Sequence, residues 1–126
     1  MAKILIAEDE QEIIQFCSMV LEKAGHKIIA VNDGLEALEK LGSEKPDLII
    51  LDIMLPGLDG YSLELQISQD RLLSGVPVII ISALRPAKEL FGKFAQVVAF
   101  LPKPFIANDL LKAVTSGLET VRPGKN

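Results

Sequence analysis

The sequence predicts a single α/β domain, a five-stranded parallel sheet with helices on both faces. Three observations predict it. Short runs rich in β-branched residues alternate with helix-length amphipathic stretches, which is the order of βαβ units. Residues 48–51 (LIIL) and 78–81 (VIII) are apolar without a break, as strands covered on both faces are. The chain is 126 residues long, 49% hydrophobic and 24% charged, the size and balance of one self-sufficient core.

Taken in order, strands are predicted at residues 4–7, 27–31, 48–51, 78–81 and 97–101, with the third and fourth at the sheet centre. The first helix is marked by Ile13, Ile14, Cys17, Val20, Leu21 and Ala24 at helical spacing, and Gly25 stops it. Cys17 falls on its buried stripe as core packing, not as a nucleophile. Leu35, Leu38 and Leu41 mark a short second helix closed by Gly42. Tyr61, Leu63, Leu65 and Ile67 alternate with period two, which alone would read as a strand. Context makes that segment a helix, because parallel strands at 48–51 and 78–81 need a long crossover between them. Asp59 and Gly60 cap it. Residues 87–95 form the weakest helix, introduced by Pro86 and interrupted by Gly92. Ile106, Leu110, Leu111, Val114, Leu118 and Val121 mark the last helix, which Gly117 weakens, and residues 122–126 read as a short frayed tail.

A net charge of −4 and a pI near 5.0 oppose direct nucleic-acid binding, which rewards clustered Lys and Arg. The single Cys17 has no internal disulfide partner, and the start MAKILIAEDE lacks the apolar stretch of a secretory signal. No apolar run approaches the roughly 20 residues that span a bilayer. A cytoplasmic location without membrane insertion is expected.

Ligands of an open parallel sheet bind beyond the carboxyl ends of its strands. There the sequence places Glu8, Asp9 and Glu10 after the first strand, Asp52 and Ser82 at the ends of the third and fourth, and Lys103 after the fifth. Two carboxylates about 4 Å apart repel by roughly 4 kcal/mol at an effective dielectric near 20, so a cation is expected among them. A hard divalent ion such as Mg2+ suits oxygen donors. Asp9 and Asp52 are the expected direct ligands, Glu8 acts through a water, and the Met54 backbone carbonyl completes the set. Asp52 can also attack phosphorus, with Lys103 neutralising the transferred group and Ser82 hydrogen-bonding one of its oxygens.

Each residue alone has a plainer reading. The acids suit a helix start, Asp52 and Ser82 a turn, and Lys103 a solvated surface. His26 reads as a turn or strand-edge residue, and Phe91, Phe94 and Phe105 as core or loop anchors.

In this order, the acidic pair Glu8 and Asp9, Asp52 opening DIMLPGLDG, Ser82 with Ala83, and Lys103 opening KPF resemble the receiver domain of two-component response regulators, of the chemotaxis-regulator kind. The resemblance covers residues 1–121. It implies a flavodoxin-like (βα)5 doubly wound fold and a cis peptide between Lys103 and Pro104. It implies a phosphoacceptor switch, in which a phosphohistidine on a sensor histidine kinase or histidine phosphotransfer protein passes its phosphoryl group to Asp52 with Mg2+. It further implies that Ser82 couples to an aromatic three residues before the lysine, here Phe100, and that the fourth helix, fifth strand and fifth helix meet a downstream protein. Such a domain modifies itself instead of turning over an external substrate. No output domain is expected in the residues after Val121.

Four positions depart from the family pattern. Phe100 stands in place of Tyr, so an inward ring carries no hydroxyl needing a partner. Gln96 stands where Gly is usual. Met54 and Leu84, two residues beyond Asp52 and Ser82, are apolar; with no side chain there to orient an attacking water, a long-lived phosphoryl group is expected. Other readings are an aspartyl-nucleophile phosphohydrolase, a flavin or nucleotide binder, and a receiver-like module that is never phosphorylated. Met54 stands where the hydrolase would need a second acid, and the acids after the first strand would repel a phosphate not bridged by a metal.

Overall fold

The computed structural model describes residues 2–83 and 87–121. Five βα units follow one another: β1 (Lys3–Ala7), α1 (Gln11–Lys23), β2 (Lys27–Val31), α2 (Gly34–Glu44), β3 (Leu48–Asp52), α3 (Gly60–Gln69), β4 (Val78–Ser82), α4 (Ala87–Phe91), β5 (Val97–Pro102) and α5 (Ala107–Val121). All strand pairs are parallel, in the order β2-β1-β3-β4-β5. The chain therefore winds outward from β1 to β2, returns, and continues through β3 in the other direction. The reversal leaves a crevice beyond the carboxyl ends of β1 and β3.

Strand alternation divides the core into two layers. Leu5, Ile49, Leu51 and Ile80 pack with Ala37, Leu41, Leu63, Ile67 and Phe91 on the side of α2, α3 and α4. Ile4, Ile6, Leu48, Ile50 and Ile79 pack with Cys17, Leu21, Leu110 and Val114 on the side of α1 and α5. Every residue of β3 and β4 is buried, as their unbroken apolar runs require at the centre of a doubly covered sheet.

The segment with period-two apolar spacing is the helix α3. Its N-terminus is capped by Asp59, whose Oδ1 accepts the Ser62 N–H at 2.9 Å. Gly60 is needed there for close approach, because a Cβ at this position would lie 2.6 Å from Ile53 Cα and 2.7 Å from the Asp52 carbonyl oxygen. The first turn of α3 thus rests on the backbone that leaves β3.

Two helices differ from expectation. α2 is not closed by Gly42; it continues to Glu44 and stops at Lys45 in the left-handed region, φ 49. Asp33 caps it by accepting the Glu36 N–H at 2.8 Å, which fixes its rotation so that Gly34, Ala37 and Leu41 are buried. Leu35 is left 63% exposed. α4 ends at Phe91, short of residue 95. A turn follows, in which the Phe94 N–H bonds the Phe91 carbonyl at 3.1 Å. The turn lets both rings bury against Tyr61, with centroids 5.5 and 5.7 Å away. Gln96, standing where Gly was expected, is buried, and its amide donates to the carbonyls of Leu73 and Val76 at 3.0 and 2.7 Å. It thereby ties the start of β5 to the loop before β4.

Cys17 is fully buried, and burial pushes its thiol up to about 12, which suits packing alone. His26 sits at the sheet edge, where Nδ1 accepts the Ala2 N–H at 3.3 Å. Phe105 packs 6.2 Å from Phe16, centroid to centroid. No described helix is long and apolar enough to cross a membrane. Leu84, Pro86, the side chain of Val121 and residues 122–126 lie outside the described residues.

Candidate functional site

The alternation that builds the two layers also sorts the polar residues at the strand ends. Glu8 continues the series Ile4 and Ile6, and Asp52 continues Leu48 and Ile50, so both fall on the α1 and α5 side. β1 and β3 are neighbours in register, Ala7 opposite Leu51, which sets Glu8 beside Asp52. Asp9 follows at the solvent edge. One oxygen from each of Glu8, Asp9 and Asp52 lies within 4.8 Å of the others. Glu8 and Asp52 are buried, at 0% and 3% exposure.

Lys103 closes the cluster from the opposite direction. Its N–H donates to the Ser82 carbonyl at 2.8 Å, extending the β4–β5 ladder past the strand ends. The Lys103–Pro104 peptide is cis. From this anchor Nζ reaches Glu8 Oε2 at 2.9 Å, Glu10 Oε1 at 2.6 Å and Asp52 Oδ2 at 3.3 Å. The Met54 N–H donates to Asp52 Oδ1 at 3.3 Å, and the Glu10 N–H to Glu8 Oε1 at 3.1 Å.

Burial pushes Glu8 up to about 7; hydrogen bonds from Lys103 and the Glu10 N–H oppose this, and the charge of Asp52 adds to it. Burial alone would lower the Lys103 pKa. Its hydrogen bonds to Glu10 and Glu8, with the negative charge of Asp52, outweigh burial and hold it above its ordinary value. One ammonium thus faces three carboxylates while Glu8 Oε2, though close to it, has no aligned hydrogen bond. Oxygen donors in excess of cationic charge fit a divalent ion of the hard class.

Residues 4–115 match the family model of the response regulator receiver domain. The chain is a receiver domain. It is 34% identical over 125 residues to the alkaline phosphatase synthesis transcriptional regulatory protein PhoP of Bacillus subtilis, covering 96% of this chain but only 51% of that protein. The chain therefore spans about half the length of that relative. Among solved structures, the chemotaxis response regulator CheY4 of Vibrio cholerae is 30% identical with a TM-score of 0.85, covering 93% of this chain and 98% of that one. The Mn2+-bound form of response regulator Rcp1 is 28% identical with a TM-score of 0.77, covering 92% and 91%. Receiver domains are the phosphoaccepting signalling units of two-component systems, and this chain is one of them.

In this receiver domain Glu8, Asp9, Asp52 and Lys103 come together as a cluster. Ser82 and Phe100 lie on the other face of the sheet, where Val78, Ile80 and Phe100 pack. Their strands are paired with Ile80 opposite Phe100 and Ser82 opposite Pro102, so Ser82 and Phe100 are diagonal neighbours, two residues offset along the ladder. Ser82 is buried and Phe100 half-buried. Met54 presents its side chain outward, 62% exposed.

Sequence reasoning placed Glu10 at the same end of the sheet but gave it no role in the site. It is the third acid of an EDE run, and the expectation that the run opens a helix accounts for it locally, since Glu10 does occupy the N-cap position of α1. Its side chain makes no cap bond and goes to Lys103 instead. The partners are separated by 93 positions, so no local pattern could have paired them.

Proposed function

We propose that Asp52 is the phosphoacceptor of this receiver domain, taking a phosphoryl group from a phosphohistidine on a sensor histidine kinase or histidine phosphotransfer protein. The observation that carries the reading is the meeting of a buried strand-end carboxylate with the Lys103 ammonium and two further acids at the topological switch point. An Asp52 oxygen attacks phosphorus, the P–N bond breaks toward the imidazole nitrogen, and the phosphoryl group ends on Asp52 as a mixed anhydride. Lys103 offers an N–H to a transferred oxygen and neutralises part of its charge.

Asp9 and Asp52 would hold Mg2+ directly, Glu8 through a water, and the Met54 carbonyl as a further ligand. When bound, the ion offsets the charge between carboxylates and phosphoryl oxygens. A Mn2+-bound form of the similar regulator Rcp1 supports a divalent ion in this fold. Ser82 would report the phosphoryl group, and Phe100, on the same face of the sheet, would relay it. The surface of α4, β5 and α5 would then meet a downstream protein, a reading supported by the exposed apolar side chains of Leu90 on α4 and Val98 on β5. The same reading takes residues 1–121 as the receiver, working in the cytoplasm without direct contact to nucleic acid. The domain modifies itself and turns over no external substrate; Met54 gives the phosphohydrolase alternative no general acid.

Incubation with acetyl phosphate and Mg2+, followed by intact-mass measurement, tests the assignment. Wild type gains the mass of one phosphate, chelation of Mg2+ suppresses the gain, and Asp52→Asn shows none. An equal gain in Asp52→Asn would place the acceptor elsewhere.

A further inference from the structure

An ammonium group has three N–H donors and no acceptor. In this receiver domain all three are engaged, by Glu8, Glu10 and Asp52. The shortest of these contacts goes to Glu10, at 2.6 Å. Lys103 therefore has no N–H left for a phosphoryl oxygen until one carboxylate lets go.

The three acceptors are not equally free to do so. Glu8 is fully buried, and its Oε1 also accepts the Glu10 N–H. The Asp52 side chain is 5% exposed, and its Oδ1 is held by the Met54 N–H. The Glu10 side chain is 59% exposed, sits at the N-cap of α1, and loses nothing to water that water cannot replace.

We propose that Glu10 is a latch on Lys103, a positioning residue that holds the ammonium while Asp52 is unmodified and releases it to the incoming phosphoryl group. The proposal rests on Asp52 being the acceptor. Release of Glu10 is part of the barrier to phosphorylation, so the latch slows uptake of the phosphoryl group. It also gives phosphorylation a second consequence, remote from Ser82 and Phe100, by returning the Glu10 carboxylate to solvent at the start of α1. The ion pair is exposed and screened by salt, so the latch weakens as ionic strength rises.

The test compares phosphorylation rates from acetyl phosphate with Mg2+ for wild type, Glu10→Gln, Glu10→Ala and Glu12→Gln. Glu12 is an exposed acid in the same helical turn, with no bond to Lys103 among those the structure gives, and it controls for general repulsion of the anionic donor. The expected result is a rate roughly three- to fivefold above wild type for both Glu10 variants at low salt, the scale of one exposed ion pair. The gap narrows as salt is added, Glu12→Gln stays near wild type, and thermal midpoints hardly move. The latch is overturned if Glu10→Gln matches or falls below wild type, if only Glu10→Ala is faster, or if Glu12→Gln is accelerated as much. A wild type that gains phosphate while Glu10→Gln is unchanged removes the latch alone. A wild type that gains none removes the acceptor reading and the latch with it.

Discussion

Glu64 lies on α3 between Leu63 and Ile67 with no exposed surface, and neither carboxylate oxygen has a hydrogen-bond partner among the described residues. Burial pushes it up to about 7 from its ordinary 4.5. A carboxyl whose folded-state pKa is raised stabilises the fold while protonated in both states, and that advantage is lost as pH rises from the unfolded value through the folded one. Stability should therefore fall between about pH 4.5 and pH 7, by roughly 3 kcal/mol from this residue. Glu8 is raised in the same window, so the contribution of Glu64 is isolated by comparison with Glu64→Leu. Urea unfolding across pH should show that variant gaining about 3 kcal/mol more at neutral pH than near pH 4. An equal gain at both pH values would mean that lost charge is not the cause. Two residues beyond Asp52, Met54 bears on how long a phosphoryl group survives. Its exposed thioether orients no water, so decay should be slow in wild type and faster in Met54→Asn. Wild-type loss within seconds would contradict this.

The elements show where local pattern suffices and where it does not. The strands were legible to within about a residue at each end, because β3 and β4 are buried on both faces and show it as unbroken apolar runs. The helix α3 was legible only through topology, since its apolar spacing alone reads as a strand. The end of α2 was misread. Gly42 carries the usual signal of a helix stop, but the cap at Asp33 and the left-handed Lys45 place the helix around it. A Cβ at Gly42 would meet nothing within 4 Å. Gly42→Ala should therefore stabilise the domain by about 0.5–1 kcal/mol, read as a rise of a few degrees in Tm. A drop in Tm would mean that Gly42 is constrained in a way its surroundings do not show.

For the molecule as a whole, the order of acids, hydroxyl and lysine along the chain was enough to assign them to one end of one sheet, because a parallel α/β fold collects the carboxyl ends of its strands on a single rim. The division of that rim was not legible. Glu8 and Asp52 belong with α1 and α5, while Ser82 and Phe100 belong with the other layer, which follows from strand register and not from motif spacing. The role of Glu10 was missed for the same reason, since it depends on a lysine delivered from the far end of the chain. The account therefore rests on Asp52, the carboxylate that β3 buries at the switch point in contact with Lys103. It is tested most directly by trapping the acyl phosphate in the wild-type protein. After incubation with acetyl phosphate and Mg2+, borohydride reduces a phosphorylated aspartate to homoserine, and peptide mass spectrometry finds where. The account predicts homoserine at position 52 and at no other acid. Homoserine at position 9 instead, or at none, would contradict it.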